Sequence, residues 1–94
     1  MRFSFVLTGE YRDWFESQPP KIQAQIEKRL SHIKNDGHFG SVRKLGDGLA
    51  ELKFNNGNRI YYAMTSQTEI ILILGGNKNG QDKDIKKAKS FFRN

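Results

Sequence analysis

The hydrophobic period changes between the two halves of the chain, and this change constrains the fold more than any other feature. Through residue 35 most apolar positions recur at helical spacing. From residue 49 they alternate or run together as they do in strands. Asn55-Asn56-Gly57-Asn58 falls between two of the alternating segments. Asn and Gly tolerate positive φ, so this tetrapeptide carries the turn chemistry of a β-hairpin.

The elements follow in order. Phe3, Phe5 and Leu7 alternate with Arg2, Ser4 and Val6, which reads as a strand over residues 2–7. Thr8 is an N-cap for a helix through Gln18, with Tyr11, Trp14 and Phe15 on one stripe. Pro19-Pro20 ends that helix and presets the first turn of the next, because proline at the first helical position gives up no needed N–H. The second helix is expected from Pro20 to Asn35, with Ile22, Ile26, Leu30 and Ile33 inward and Lys28, Arg29 and Lys34 off the stripe. Asn35-Asp36-Gly37 stops it. Leu49–Phe54, Arg59–Met64 and Thr68–Leu74 read as a three-stranded meander, with the apolar run Ile70–Leu74 as a buried strand. Gly75–Gly80 reads as a glycine-bearing loop. A last helix from Gln81 to Phe92 carries Ile85, Ala88 and Phe92 on one face. The expectation is a single α+β domain over residues 1–94, in the order β-α-α-β-β-β-α, with the helical hairpin packed on an antiparallel sheet.

Strand alternation divides the meander into two faces. Ala50, Leu52 and Phe54 with Ile60, Tyr62 and Met64 belong against the helices. Glu51, Lys53, Arg59 and Tyr61 fall on the opposite, free face. Two cations, a carboxylate and a phenol side by side suit a phosphodiester, and they equally suit the wet face of an antiparallel sheet.

Composition limits the chemistry. With no Cys among 94 residues, disulfides, thiolate metal sites and a Cys nucleophile are excluded, and a reducing, cytoplasmic setting fits. His32 and His38 are too few for an ordinary zinc site, so no metal and no cofactor are expected. No apolar run approaches a membrane span. The charge is +6 and is concentrated at one end: residues 78–94 hold six cations against Asp82 and Asp84. That end suits a nucleic acid, an acidic protein, or simply a solvated helix face. The glycines at 75, 76 and 80 lack the G-K-S/T ending of a P-loop.

Three segments together resemble a known superfamily: K-L-G-D-G-L-A-E-L-K-F (44–54), N-R-I-Y-Y-A (58–63) and I-L-I-L-G-G-N-K-N-G-Q-D-K-D-I-K-K-A (71–88). They are similar to the RelE/ParE toxins of bacterial type II toxin–antitoxin systems, and within them to the addiction-module killer proteins close to HigB-like toxins. The order of elements agrees along nearly the whole chain. The resemblance implies a translation inhibitor that cleaves mRNA on the ribosome without a metal. It also implies a cognate antitoxin as partner, usually a helix-turn-helix protein in this branch. The same superfamily includes gyrase poisons of ParE type that cut no RNA, and a toxin fold without activity is a third possibility.

Attack of a 2′-OH on its own phosphate needs a base, cations for the phosphorane and an acid for the leaving oxygen. By position, the resemblance puts Lys53, Arg59 and Lys78 at the scissile phosphate. Arg59 has the planar fork that contacts two phosphate oxygens. RelE-type nucleases carry a lysine where this chain has Glu51, and a late arginine and tyrosine where it offers Gln81 and no Tyr. Glu51 and Tyr61 are therefore the substitute base or acid candidates. Arg43, Lys44, Gln81, Lys83, Lys86 and Lys87 are the expected RNA contacts, although Gln81 serves equally well as a loop cap. His38 reads as a loop residue, Trp14 and Phe15 as core, and Asp84 as a first-turn acid favoured by the helix dipole.

Overall fold

A computed structural model describes residues 2–91. The chain forms β1 (Ser4–Leu7), α1 (Gly9–Glu16), α2 (Pro20–Asp36), β2 (Val42–Gly46), β3 (Leu49–Lys53), β4 (Asn58–Met64), β5 (Glu69–Asn77), a 3-10 turn (Lys78–Gly80) and α3 (Gln81–Ser90). The expected extension of the last helix to Phe92 lies outside the described residues. The expected α+β order holds, with three differences of detail.

The sheet has five strands in the order β1-β5-β4-β3-β2. It is mixed rather than antiparallel, because β1 pairs with β5 in parallel, Phe5 opposite Ile70. β2 is an additional edge strand, paired antiparallel with β3. The third difference is that Gly75-Gly76-Asn77 continue β5 instead of forming a loop.

Local chemistry explains the helix ends. Thr8 Oγ1 accepts from Tyr11 N at 3.0 Å, capping α1, and donates to Ile73 O, tying the helix start to β5. Gly37, at φ 68°, closes α2 in the left-handed conformation, with Gly37 N and His38 N donating to Ile33 O and His32 O. Arg29, off the apolar stripe, joins α2 to the sheet. Its guanidinium donates to Phe39 O (2.8 Å), Lys53 O (2.6 Å) and Ser41 O (2.7 Å), and lies over the Phe54 ring.

The sheet is covered on both faces. On one, α1 and α2 enclose Tyr11, Ile26, Ile33, Leu52, Ile60, Tyr62, Ile70 and Leu72. On the other, α3 packs Ile85 and Ala88 onto Leu49, Tyr61, Ala63, Ile73 and Leu74. An irregularity opposite Tyr61 and Tyr62 pairs them with Leu74 and Leu72, leaving Ile73 as the extra residue. Alternation sends Ile70 and Leu72 to one core and Ile71 and Ile73 to the other, and the bulge keeps Leu74 on the same side as Ile73. The face read from the alternation as free is therefore roofed by α3, and Glu51 and Tyr61, at 0% exposure each, are buried beneath it.

Candidate active site

Cross-strand register builds the site row by row. Arg43, Glu51, Tyr61 and Leu74 stand opposite one another across β2, β3, β4 and β5. Two residues along, Lys53 stands opposite Arg59 and Arg59 opposite Gly76. Alternation puts all of these on the α3 face. Glu51, Tyr61 and Leu74 of the first row lie under α3, with Arg43 half-exposed at the sheet edge, and Gly76 of the second row lies beneath Asp84 in the first turn of that helix.

Glu51 is the centre of the polar contacts. Its Oε1 receives Arg43 Nε at 2.9 Å, and Gln81 Nε2 from the first turn of α3 donates to Oε1 and Oε2, each at 3.0 Å. Arg59 Nε stands 4.0 Å from the same Oε1. Arg59 Nη1 donates to Asn58 O (3.0 Å) and Phe54 O (3.4 Å), bracing the β3–β4 hairpin from within. A buried carboxylate needs this compensation, because taking a charge out of water is costly unless cations and N–H donors replace the solvent.

Two buried polar atoms, Arg59 Nε and Tyr61 Oη, have no hydrogen-bond partner among the described residues. Burial pushes the Tyr61 phenol up to about 12, and the carboxylates of Glu51 and Asp84 add to the effect against the opposing pull of Arg59 and Arg43. The phenol is therefore protonated at neutral pH and is a donor, not a base. Asp84 comes to the same place from α3. A Cβ on Gly76 would run into its carboxylate, so the glycine makes room for it. Desolvation raises the Asp84 carboxyl, partly offset by Lys87 and Lys83. Neighbouring Gly75 does the same on the other face, where the Trp14 indole occupies the space of a side chain. These two glycines, expected in a loop, admit side chains of the chain itself.

Lys78 reaches the site from the 3-10 turn. Its N–H donates to Gly57 O at 2.8 Å and its methylenes lie across Gly57, at φ 94°, on the β3–β4 turn. Asn77 Nδ2 donates to Asn58 Oδ1 at 3.3 Å, closing the same corner. Lys53, Arg59 and Lys78 are thus contributed by two adjacent strands and by the turn that rests on their hairpin.

Of the sequence-derived candidates, the structure brings together Arg43, Glu51, Arg59, Tyr61 and Gln81, with Lys53 and Lys78 at the rim. Lys44 does not join them. It stands opposite Ala50 and by alternation faces the side of α1 and α2. Lys83 and Lys86 are exposed on α3, and Lys87 Nζ pairs with Glu10 Oε2 at 2.8 Å. His38 follows α2 and precedes Phe39, which packs on Phe3 and Tyr62 over the other core. Asp84 was the residue least legible as part of the site. Its signal was Gly76, a strand glycine that marks a close approach. Among the described residues there is no cluster of three His, Asp or Glu able to hold a metal, and no helix is long and apolar enough to cross a membrane.

Comparison with known proteins agrees with this architecture. A mutant of the E. coli toxin RelE in the free state superposes with TM-score 0.71 at 12% identity, covering 94% of each chain. The RelBE2 toxin–antitoxin complex from Mycobacterium tuberculosis gives 0.68 at 13% identity, covering 82% of this chain and 99% of that one. The intact E. coli RelBE toxin–antitoxin complex gives 0.62 at 14%, covering 82% and 96%. The fold is that of the RelE toxins. An uncharacterized protein of Haemophilus influenzae is 37% identical over 71 residues, 73% of this chain and 71% of its own length. Residues 13–92 match the family described as phage derived protein Gp49-like (DUF891), and the chain belongs to that family.

Proposed function

We propose that this protein is the toxin of a toxin–antitoxin pair and that it inhibits translation by cleaving mRNA on the ribosome. The observation that carries the reading is the meeting of Lys53, Arg59 and Lys78 at one corner of the sheet. Lys53 and Arg59 are cross-strand partners and Lys78 rests on their hairpin; of the two carboxylates at the site, Glu51 is buried and already occupied by Arg43 and Gln81, which leaves Asp84, over Gly76, against three cations. Cations in such excess suit a phosphate whose charge grows in the transition state. The RelE fold and the antitoxin complexes of its structural neighbours support the same reading.

In this mechanism Arg59, 12% exposed and with Nη1 held by Asn58 O and Phe54 O, offers its remaining terminal N–H groups to one non-bridging oxygen of the scissile phosphate. Lys53 and Lys78 add charge and mobile N–H donors. The 2′-oxygen bonds to its own phosphorus and gives its proton to water, the P–O5′ bond breaks, and the 5′-oxygen takes a proton from water, leaving a 2′,3′-cyclic phosphate and a 5′-hydroxyl. The ribosome orders the mRNA for in-line attack, which lowers the demand on the protein for strong acid–base groups. The cognate antitoxin, of helix-turn-helix type, is the expected partner.

The test is induction in a bacterial host without an antitoxin, mapping mRNA 5′ ends and plasmid supercoiling in the same cells. Growth arrest with codon-phased cuts is the expected result. Arrest with relaxed or broken DNA and intact mRNA would replace this reading with a gyrase poison.

A further inference from the structure

Glu51 was a base candidate on the sequence, but its surroundings assign it other work. The residue has 0% exposure, and both carboxylate oxygens are occupied, one by Arg43 Nε at 2.9 Å and both by Gln81 Nε2 at 3.0 Å. A group enclosed in this way has no path to a substrate hydroxyl, and it touches three different elements. Arg43 is on the edge strand β2, Arg59 on β4, and Gln81 opens α3 immediately after the turn that carries Lys78. The start of α3 has no side-chain cap of its own, since Gly80 is the N-cap residue. Among the polar side-chain contacts between the first turn of α3 and the sheet, the Gln81–Glu51 pair is the one with hydrogen-bond geometry at both oxygens.

We propose that Glu51 is a positioning residue. Through Gln81 it fixes the first turn of α3 on the sheet, and with that turn the place of Lys78 beside Arg59. At the same time it gives Arg59 and Arg43 a common counter-charge. This inference rests on the proposed nuclease reading for its catalytic consequence and on the contacts alone for its structural one. Glu51 neither takes nor gives a proton in the reaction. The residue is a carboxylate because an amide at 51 accepts from Gln81 but leaves two neighbouring guanidinium groups without an anion.

The experiment is an exchange of the pair. Glu51→Gln, Gln81→Glu and the double substitution are compared in single-turnover cleavage on programmed ribosomes, with ribosome binding measured separately. Amide hydrogen exchange over residues 79–84 of each isolated chain is followed in parallel. Glu51→Gln is expected to slow cleavage by about tenfold to a hundredfold through displacement of the cations, with ribosome affinity changed by less than about twofold and an unaltered pH–rate profile. Gln81→Glu sets two carboxylates face to face and is expected to slow cleavage as well. The double substitution restores one amide and one carboxylate to the interface but keeps an amide against Arg43 and Arg59, so its rate is expected to rise above both single variants without reaching wild type. Exchange over 79–84 should rise in both single variants and fall back in the double.

Loss of the acidic limb of the pH–rate profile in Glu51→Gln, with no recovery in the double, would make Glu51 the base and overturn the proposal. A wild-type rate in Glu51→Gln would overturn it too. Should the wild-type chain cut no mRNA, the nuclease reading fails, and the exchange data decide the positioning claim by themselves. Faster exchange over 79–84 in Glu51→Gln, reversed by the exchange of the pair, supports it. Unchanged exchange overturns it.

Discussion

The two faces of the sheet are built from different materials. Beneath α1 and α2 the contacts are almost wholly apolar: Tyr11, Ile26, Ile33, Leu52, Ile60, Ile70 and Leu72 are all buried, and Phe39 stacks on Tyr62. Beneath α3 an apolar half made by Leu49, Ala63, Ile73, Leu74 and Ala88 gives way, toward the helix start, to Arg43, Glu51, Arg59, Tyr61, Gln81 and Asp84. One face has the inventory of a stabilising core. The other gives up packing for buried charge and leaves Arg59 Nε and Tyr61 Oη without partners. Buried polar groups that do not complete their hydrogen bonds cost stability, and such groups cluster at functional sites. The difference teaches where to look for stability and where to look for activity.

Truncation in the two cores should separate them most widely. Ile26 has 0% exposure in the centre of the hairpin side, and Ile26→Ala is expected to cost about 3–4 kcal/mol. Ile85 is half-buried on α3, and Ile85→Ala is expected to cost about 1–2 kcal/mol, measured by the same denaturant titration. Equal losses would erase the distinction between the faces. Arg29→Ala comes next. It removes three donors to the backbone carbonyls of Phe39, Ser41 and Lys53, and should cost about 2–3 kcal/mol. Arg29→Lys should recover only part of this, because an ammonium cannot reproduce the three-way fork.

The adjacent glycines sharpen the comparison on a smaller scale. Gly75→Ala drives a methyl into the indole of Trp14, a rigid ring in the hairpin-side core, and is expected to cost about 2–3 kcal/mol. Gly76→Ala meets only the end of the Asp84 side chain, which can turn away, so the expected stability loss is under about 1 kcal/mol. Thermal unfolding of the two variants side by side reads the difference directly, and the reverse order would mean that Asp84 cannot move.

Much of this was legible before the structure. Helix stripes, the Thr8 cap, the Pro19-Pro20 break, the Gly37 stop and the Asn-Gly hairpin are local signals, and each lies where the chain chemistry puts it. What escaped was non-local. β2 is a short edge strand in which Arg43 and Lys44 interrupt the apolar alternation, so its pattern looks like loop. The parallel pairing of β1 with β5 joins residues about as far apart as Phe5 and Ile70, and no local period records it. Gly75 and Gly76 look like loop residues until Trp14 and Asp84 are seen filling their places. The face carrying Glu51, Lys53, Arg59 and Tyr61 was correctly grouped by alternation, but alternation says nothing about which helix covers it. Glu51 consequently looked available when it is enclosed.

The three tyrosines give the smallest effect and test burial on both faces at once. Burial raises Tyr11 and Tyr62 on the hairpin side and Tyr61 on the α3 side above the ordinary 10.0, Tyr61 to about 12. A raised phenol pKa means that the folded state holds its proton longer than the unfolded state. The stability this represents is intact below pH 10 and is lost as the pH rises from about 10 toward 12. Tyrosinate absorbance at pH 10.5 should therefore be lower in the folded chain than in the unfolded one and rise on unfolding. Tyr61→Phe should narrow the pH dependence of the unfolding free energy without shifting stability at pH 7 by more than about 1 kcal/mol. Ionisation of Tyr61 at pH 10 in a chain that is still folded would show that the α3 face is open.

The most direct test of the central claim, that the α3 face does the chemistry, is single-turnover cleavage on programmed ribosomes at saturating protein. Arg59→Ala, Lys53→Ala and Lys78→Ala should each lower the rate by about a hundredfold or more once bound, with Arg59→Ala the lowest. Lys83→Ala and Lys86→Ala, which remove exposed cations of α3, should weaken binding in a salt-dependent way and leave the bound rate within about twofold of wild type. Wild-type cleavage by bound Lys53→Ala, Lys78→Ala and Arg59→Ala chains would contradict the account and move the active site off this corner of the sheet.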